Sequence, residues 1–173
     1  MVDASVYQEA LDLMELHRSE GRDIYIVSSS PEEVVRPLAQ HFGVAGVLAT
    51  RARIEDGRYT GELEFYCYGE GKAEAIRSLA QDRGIDLGSS YAYSDSATDL
   101  PMLRTVGHPV AVNPDKELRK EAEAKGWDIR DFRRPVRLRT RIVQTAAHPR
   151  TRVAAGLVAA TAAAAIVLWL VVR

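Results

Sequence analysis

The chain has 173 residues, of which 46% are apolar and 27% are charged, values that fit one globular domain able to bury a core. Cys67 is the single cysteine, which excludes an intrachain disulfide and fits a reducing compartment. The net charge is −1, but the charge is uneven, since eight arginines and a single acid, Asp131, lie between Arg130 and Arg152. This basic run sets the C-terminal part of the chain apart from the rest.

The first half of the chain predicts helices and strands in alternation. Residues 5–20 carry apolar side chains at helical spacing, which predicts a helix. The run IYIVS at 24–28 is β-branched and aromatic, which predicts a buried parallel strand. Ser30-Pro31-Glu32-Glu33 predicts the start of a helix, with Ser30 as N-cap and Glu33 completing a capping box, and Gly43 ends that helix.

The second half continues the alternation after a hairpin. Asp56-Gly57 lies between two alternating segments and predicts a β-hairpin that follows a strand at 46–50. A helix is expected over 72–83. Further on, we expect strands at SYAYS, PVAVN and WDI and helices at LPMLRTV and 115–125. This order predicts an α/β domain built on a mostly parallel sheet with one hairpin.

The C-terminal run predicts a membrane anchor. Residues 153–172 contain no charge and have the length of a bilayer-spanning helix. The arginines before the run would hold the preceding domain on the cytoplasmic side of the cell membrane. We therefore expect a core over 1–132, an arginine-rich linker over 133–152 and a single transmembrane helix over 153–172. An alanine-rich helix outside the membrane is the alternative.

Three spots at strand ends or helix starts could carry chemistry, because ligands of open α/β sheets bind beyond the carboxyl ends of the strands. The first is Ser28-Ser29-Ser30, where hydroxyl and backbone N–H groups can cradle an anion. N-capping by Ser30 explains the same residues without any ligand.

The second spot is Lys72, which follows two glycines at a helix start. A cation is mildly disfavoured there by the helix dipole, so a role in holding an anion is one interpretation. The string GEGK is not a phosphate-binding loop of the Walker A type, because Ala73 takes the place of the required Ser or Thr. An ordinary surface lysine is the alternative.

The third spot is the pair Asp95 and Asp99 in SDSATDLPML. Carboxylate oxygens suit Mg²⁺, which takes one or two such ligands from protein and keeps several waters. The alternative is that Asp95 is a turn residue and Asp99 a first-turn helix acid. The spacing alone does not choose between a metal site and these local roles.

Taken together, the three spots resemble motifs II, III and IV of the haloacid dehalogenase (HAD) superfamily of phosphatases. The stretches IYIVSSSPEEVVRPLA, GKAEAIRSLA, YAYSDSATDLPML and AVNPD are most similar to the subfamily that contains the phosphoserine phosphatases, the HAD-IB type. The resemblance covers about residues 5–130. It implies a Rossmann-like core and a Mg²⁺-dependent phosphomonoester hydrolase that acts on a phosphorylated small molecule.

The resemblance also implies residue roles. Ser28 would donate its hydroxyl to the phosphoryl group, assisted by the Ser29 backbone N–H, and Lys72 would neutralise phosphate charge. Asp95 would ligate Mg²⁺, and Asp99 would contribute to the metal site by ordering a metal-bound water or the lysine. The partners implied are a phosphorylated small molecule and, through the C-terminal helix, the membrane. We expect no nucleic-acid partner.

One family motif has no match. Motif I, Asp-x-Asp-x-Thr/Val, supplies the nucleophile, and the chain contains no such sequence. We therefore expect a core that lacks its first strand and most of its helical cap, and a chain that is inactive as given. A non-catalytic, tail-anchored phosphate-binding or scaffold protein is the second hypothesis. A receiver-like phospho-acceptor domain is disfavoured, since the predicted hairpin has no place in it.

Overall fold

The computed structural model describes residues 4–138 and 167–171. The helices there are α1 (Gln8–Ser19), α2 (Glu32–Phe42), α3 (Glu70–Arg83), α4 (Leu100–Leu103) and α5 (Lys116–Lys125), with short 3₁₀ turns at Leu87–Ser89 and Ala97–Asp99. The strands are β1 (Ala4–Tyr7), β2 (Asp23–Pro31), β3 (Gly46–Glu55), β4 (Arg58–Phe65), β5 (Tyr91–Ser94), β6 (His108–Val112), β7 (Asp128–Arg130), β8 (Pro135–Leu138) and β9 (Val167–Val171).

The main sheet has seven strands in the order β4-β3-β2-β9-β5-β6-β7. Three neighbouring pairs are parallel, namely β2 with β3, β5 with β6 and β6 with β7. The other three pairs are antiparallel: β3 with β4, β2 with β9 and β5 with β9. The α/β class follows from this layout, but the sheet is mixed, and the expectation of a mostly parallel sheet is wrong.

Helices cover both faces of the sheet. Along β2, Tyr25 and Val27 belong to one buried cluster, whereas Ile24 and Ile26 belong to the other. This alternation follows from the period of two of a strand. The first cluster also contains side chains of α3, α4 and α5, and the second contains side chains of α1 and α2. The continuous apolar run of β2 is thus explained by burial on both faces.

The predicted hairpin is confirmed in β3 and β4. Asp56 and Gly57 have φ of 50° and 73°, the pair of positive φ angles that a tight turn between antiparallel strands needs. Beyond the core the hairpin projects into solvent, and ion pairs join its strands, such as that between Arg53 and Glu62 at 3.1 Å. It continues directly from the β3 residue Thr50, so its base adjoins the ends of the buried strands.

Two local predictions in the first half need correction. Residues 4–7 form β1 rather than the first turn of a helix, and β1 pairs with β8. Ser30 does not cap α2, because β2 extends to Pro31 and Pro31 occupies the N-cap position without a side-chain cap. The Ser30 N–H is instead donated to Ser28 Oγ at 3.2 Å. Gly43 ends α2 in the left-handed conformation, as expected.

The predicted transmembrane helix over 153–172 is wrong. Residues Val167–Val171 form β9, which lies between β2 and β5 in the sheet. Across residues 4–138 and 167–171, we find no helix with the length and apolar character needed to cross a bilayer. A strand at the centre of a covered sheet is a continuous apolar run, and hydropathy cannot distinguish such a run from part of a membrane helix. Residues 153–166 of the predicted span lie outside the described residues.

Without that helix, the predicted single-pass localisation at the cytoplasmic side of the cell membrane is wrong, and the predicted membrane partner has no support in the described residues. Part of the arginine-rich run has another role, since Arg134 pairs with Glu9 at 3.0 Å and with Asp12 at 3.2 Å. The boundaries of a core over 1–132 and a linker over 133–152 stay predictions. Within that linker the structure describes β8, and residues 139–152 lie outside the described part.

Candidate active site

The ends of several strands meet at one edge of the sheet, which we call the carboxyl edge. Ser28 of β2 is in register with Ala49 of β3, and Ser94 at the end of β5 is in register with Ala111 of β6. Because these pairs are parallel, the loops that follow the strands lie on the same side of the sheet. The side chains predicted to carry chemistry are on these loops or at the helix starts next to them.

Lys72 and Asp99 form an ion pair in the interior. Lys72 Nζ donates to Asp99 Oδ1 at 2.7 Å, and their side chains are only 6% and 2% exposed. The Ser94 hydroxyl donates to Asp99 Oδ2 at 2.7 Å. Both oxygens of Asp99 are therefore engaged by protein groups. The surface-lysine interpretation of Lys72 is wrong, because a buried ammonium held by a buried carboxylate is not a solvated side chain.

Two glycines bring Lys72 to this place. Gly69 has a φ of 53°, which favours a residue without a side chain. At Gly71 an added Cβ would lie 2.3 Å from the backbone oxygen of Tyr66, so any other residue would clash with the chain that leads into α3. The glycines before the lysine thus fold the loop tightly and direct the first turn of α3 into the site.

Asp95 has a buried oxygen without a partner. Its Oδ1 is inaccessible to solvent and accepts no hydrogen bond from any residue that the structure describes. Burial raises the pKa of Asp95, and the negative charges of Asp99 and Asp115 add to this, while its own backbone N–H and Lys72 oppose it. A buried carboxylate oxygen normally has a hydrogen-bond partner, so this one points to an absent ligand.

Ser28 lies on the other side of the site, at the end of the buried part of β2. Its side chain is buried, and its Oγ accepts the Ser30 N–H. The neighbouring carbonyl of Ser29 accepts the Thr50 hydroxyl at 2.8 Å, and Thr50 Oγ1 in turn accepts the Cys67 N–H. This chain of bonds fixes the turn after β2 against β3. No direct hydrogen bond joins Ser28 or Ser29 to Lys72, Asp95 or Asp99 in the described residues.

Cys67 is beside the same turn but is unsuited to act as a nucleophile. Its thiol is fully buried, and burial raises its pKa to about 11, although Lys72 opposes the shift. A thiol is reactive only as the thiolate. At neutral pH Cys67 is therefore a packing residue between β3 and the site.

Asp115 organises the loop that carries Asp95 and Asp99. One of its oxygens accepts the Ala97 N–H at 2.8 Å, and the other accepts the Leu118 N–H at 2.7 Å and so caps α5. Its own N–H donates to the Asp95 carbonyl at 2.8 Å. Sequence reasoning noted AVNPD but assigned no role to Asp115. It also missed Ser94 and Thr50, although both follow apolar strand runs.

Mg²⁺ fits this site through a single ligand. Within residues 4–138 and 167–171, no group of three His, Cys, Asp or Glu side chains converges as a metal cage. Asp95 Oδ1 is nevertheless an unpartnered, hard oxygen donor, and Mg²⁺ is commonly bound by one or two carboxylates with water and phosphate. The carboxylate oxygen of Asp95 is thus a suitable Mg²⁺ ligand, and a bound cation would offset its negative charge.

Comparison with known proteins agrees with this geometry. The family model described as haloacid dehalogenase-like hydrolase matches residues 1–104. A probable phosphatase of Mycobacterium tuberculosis is 51% identical over 173 residues, which cover 100% of this chain and 60% of that protein. A phosphoserine phosphatase of the same species is 41% identical over 129 residues, covering 74% of this chain and 42% of its own length.

A solved structure shares the fold. A protein of unknown function from Bordetella pertussis superposes with a TM-score of 0.66 at 36% identity, over 71% of this chain and 57% of that chain. The chain spans about 60% of the length of the curated relatives that it matches from end to end.

Proposed function

Because this chain belongs to the haloacid dehalogenase-like hydrolase family, we propose that it forms the phosphate-binding part of a Mg²⁺-dependent phosphomonoester hydrolase. The substrate class is small phosphorylated molecules. The observation that carries the proposal is the buried Lys72–Asp99 ion pair next to the unpartnered oxygen of Asp95. A structural ion pair alone would not require a second, unpaired carboxylate at the same strand end.

Lys72 supplies positive charge for the phosphoryl group. Asp99 holds the ammonium through a contact of 2.7 Å, and the Ser94 hydroxyl fixes Asp99 by donating to its other oxygen at 2.7 Å, so little reorganisation is needed when an anion arrives. Fixed cations of this kind stabilise the charge of a phosphoryl group in transfer. Asp99 acts as the positioning group for Lys72 in this proposal, not as a direct metal ligand.

Asp95 holds Mg²⁺ in the proposed site. When bound, the ion neutralises phosphate charge and orients the phosphoryl group. Asp115 keeps Asp95 in position through its N–H bond to the Asp95 carbonyl and its bond to the loop at Ala97. Ser28 donates its hydroxyl to a phosphate oxygen, and the Ser29 N–H assists from the start of the turn.

Phosphoserine is the first substrate to test, since one relative is named a phosphoserine phosphatase. The loop after β5 differs from that subfamily at Ser96 and Thr98, where Gly and Asn are more common. In this chain the two side chains bond to each other at 3.0 Å, and Ser96 Oγ also accepts the Thr98 N–H. Ser96 and Thr98 therefore stabilise this loop locally.

A second candidate function is phosphate binding without turnover. It is favoured by one observation, that the sequence contains no Asp-x-Asp pair to supply a nucleophile. Both candidates use the same phosphate site. They differ in whether that site serves turnover, and since the sequence contains no Asp-x-Asp pair, we expect this chain by itself to bind phosphate without hydrolysing phosphoserine.

Titration calorimetry of the full chain with inorganic phosphate tests the site. We expect binding that requires Mg²⁺ and that Ser28→Ala weakens about tenfold, because a hydrogen bond to a charged group contributes about 1.5–3 kcal/mol. Ser78→Ala, an exposed serine on α3, is the matched control and should leave binding unchanged. Equal phosphate affinity without Mg²⁺, or in the Ser28 variant, contradicts the proposed site.

A turnover assay tests the expectation that this chain lacks a nucleophile. Release of phosphate from phosphoserine in the presence of Mg²⁺, lost in Asp95→Asn, would show that a nucleophile is present and that the non-catalytic candidate is wrong. Phosphate binding without such release agrees with the missing Asp-x-Asp pair.

A further inference from the structure

A second concave site lies at the opposite end of the sheet, which we call the amino edge. A cleft of about 540 Å³ opens between the start of β6 and the turn from α5 into β7. Tyr91, His108 and Asp128 line it, and each is the first residue of its strand. The phosphate site uses the other ends of β5 and β6, so the two sites are separated by the length of these strands. The volume is in the range of small-molecule pockets.

Aromatic side chains form one wall of the cleft. The ring of His108 stacks on that of Tyr91, with centroids 4.4 Å apart and planes inclined by 17°. His108 is exposed at the mouth of the cleft. Trp127 is half-buried and lines the cleft from the turn before β7. These exposed and half-buried rings offer a stacking surface to a flat ligand.

Positive charge is available beside these rings. Lys125 lines the cleft and is exposed; its charge also acts on Glu121, but its ammonium makes no hydrogen bond or close ion pair within the described part of the chain. Arg104 also lines it and is paired with Glu121 at 2.8 Å. Asp128 is the single acid of the lining and faces Arg130 at 3.7 Å. Lys125 is therefore the cation with capacity for an anionic ligand.

We propose that the cleft at the amino edge binds a small, flat organic anion, an aromatic carboxylate. Its ring stacks on His108 and packs against Trp127, while its carboxylate pairs with Lys125. Both parts are needed, because an exposed ion pair alone contributes little affinity and the rings alone do not select an anion. This site is independent of the proposed phosphate chemistry.

Titration calorimetry with 2-naphthoate as the probe tests the proposal on the full chain. We expect saturable binding with one ligand per chain. The neutral analogue 2-naphthalenemethanol should bind about twofold to fivefold more weakly, since it lacks the charge that pairs with Lys125. Inorganic phosphate should not displace the probe, because it binds at the carboxyl edge.

Matched variants locate the binding. Lys125→Gln should weaken naphthoate binding about twofold to fivefold, the range of one exposed ionic contact, and His108→Ala should weaken naphthoate and the neutral analogue alike. Lys120→Gln on the same helix is the control, since Lys120 does not line the cleft. Absence of saturable binding, or equal losses in the Lys125 and Lys120 variants, overturns the proposal.

Discussion

The two edges of the sheet use buried polar groups in opposite ways. At the carboxyl edge, Lys72, Asp95 and Asp99 place charges in the interior, and one oxygen of Asp95 has no partner. At the amino edge, His17 is buried as a neutral ring, because burial and the nearby charges of Arg22 and Arg130 lower its pKa to about 4.

The hydrogen bonds of His17 fix its tautomer. Arg22 can only donate, and its Nη1 lies 2.9 Å from His17 Nδ1, so Nδ1 accepts. His17 Nε2 then carries the proton and donates to the Tyr93 hydroxyl at 2.8 Å. The difference between the edges indicates that the amino-edge network serves stability, whereas at the carboxyl edge the charge of Asp95 is costly because one of its buried oxygens has no partner among the described residues.

The largest expected change in the free energy of unfolding comes from breaking the Lys72–Asp99 ion pair. Lys72→Met should lower the free energy of unfolding by about 3–5 kcal/mol, because it leaves the Asp99 carboxylate buried and uncompensated. Urea denaturation at pH 7 measures it. The double variant Lys72→Met with Asp99→Asn should recover most of the loss, since no unpaired charge remains. If the double variant is as unstable as the single one, coupling between the two charges is not the cause.

The second-largest expected effect is a pH dependence of the free energy of unfolding, which comes from His17 at the amino edge. The pKa of His17 is lowered from 6.5 to about 4, so below pH 6.5 the unfolded chain binds a proton that the folded chain excludes. The contribution of neutral His17 to the free energy of unfolding is fully present above pH 6.5, and it falls by roughly 3 kcal/mol as the pH approaches 4. Denaturation at a series of pH values measures this slope.

His17→Gln is the control for that slope. Glutamine can donate to Tyr93 and accept from Arg22 but does not titrate. We expect the variant to lose most of the pH dependence between 6.5 and 4. An unchanged slope would assign the acid sensitivity to carboxylates instead.

A smaller pH effect on the free energy of unfolding is expected at Asp95, with the sign opposite to that of His17. The pKa of this carboxyl is raised, so its ionised form costs stability above that pKa, and the cost disappears as pH falls through it. Asp95→Asn should therefore stabilise the metal-free chain at pH 7 by about 1 kcal/mol, the lower range of the cost of an unpaired buried group. Thermal unfolding at pH 7 and at pH 3.5 measures the difference, and a variant less stable than the parent at pH 7 contradicts this assignment.

Local patterns predicted most of the fold. The Asp56-Gly57 turn and the helix stop at Gly43 each depend on one or two residues with strict backbone preferences, and the strand within β2 depends on the run IYIVS. The structure has all of these as expected. Ser30 was predicted wrongly because a cap depends on where the preceding strand ends. The C-terminal apolar run was predicted wrongly because strand order, which the sequence does not display, puts β9 at the centre of the sheet.

The candidate site was predictable only in part. Lys72, Asp95 and Asp99 could be named from their positions at strand ends and helix starts. That Asp99 holds Lys72 and Ser94 could not be read from spacing, since it depends on side chains 27 and 5 residues away meeting in three dimensions. Asp115 was predicted only as the first residue of a helix and was given no role. Its cap of α5 is a local contact, whereas its bond to the loop of Asp95 is a tertiary contact.

Titration of the full chain with Mg²⁺, followed by calorimetry, tests the central claim most directly. The account predicts that one Mg²⁺ binds per chain and that Asp95→Asn abolishes this binding. The control variant Asp131→Asn removes an exposed carboxylate outside the site and should leave Mg²⁺ binding unchanged. Equal Mg²⁺ affinity of the parent and the Asp95 variant would contradict the claim that the unpartnered carboxylate oxygen at the carboxyl edge is a metal ligand.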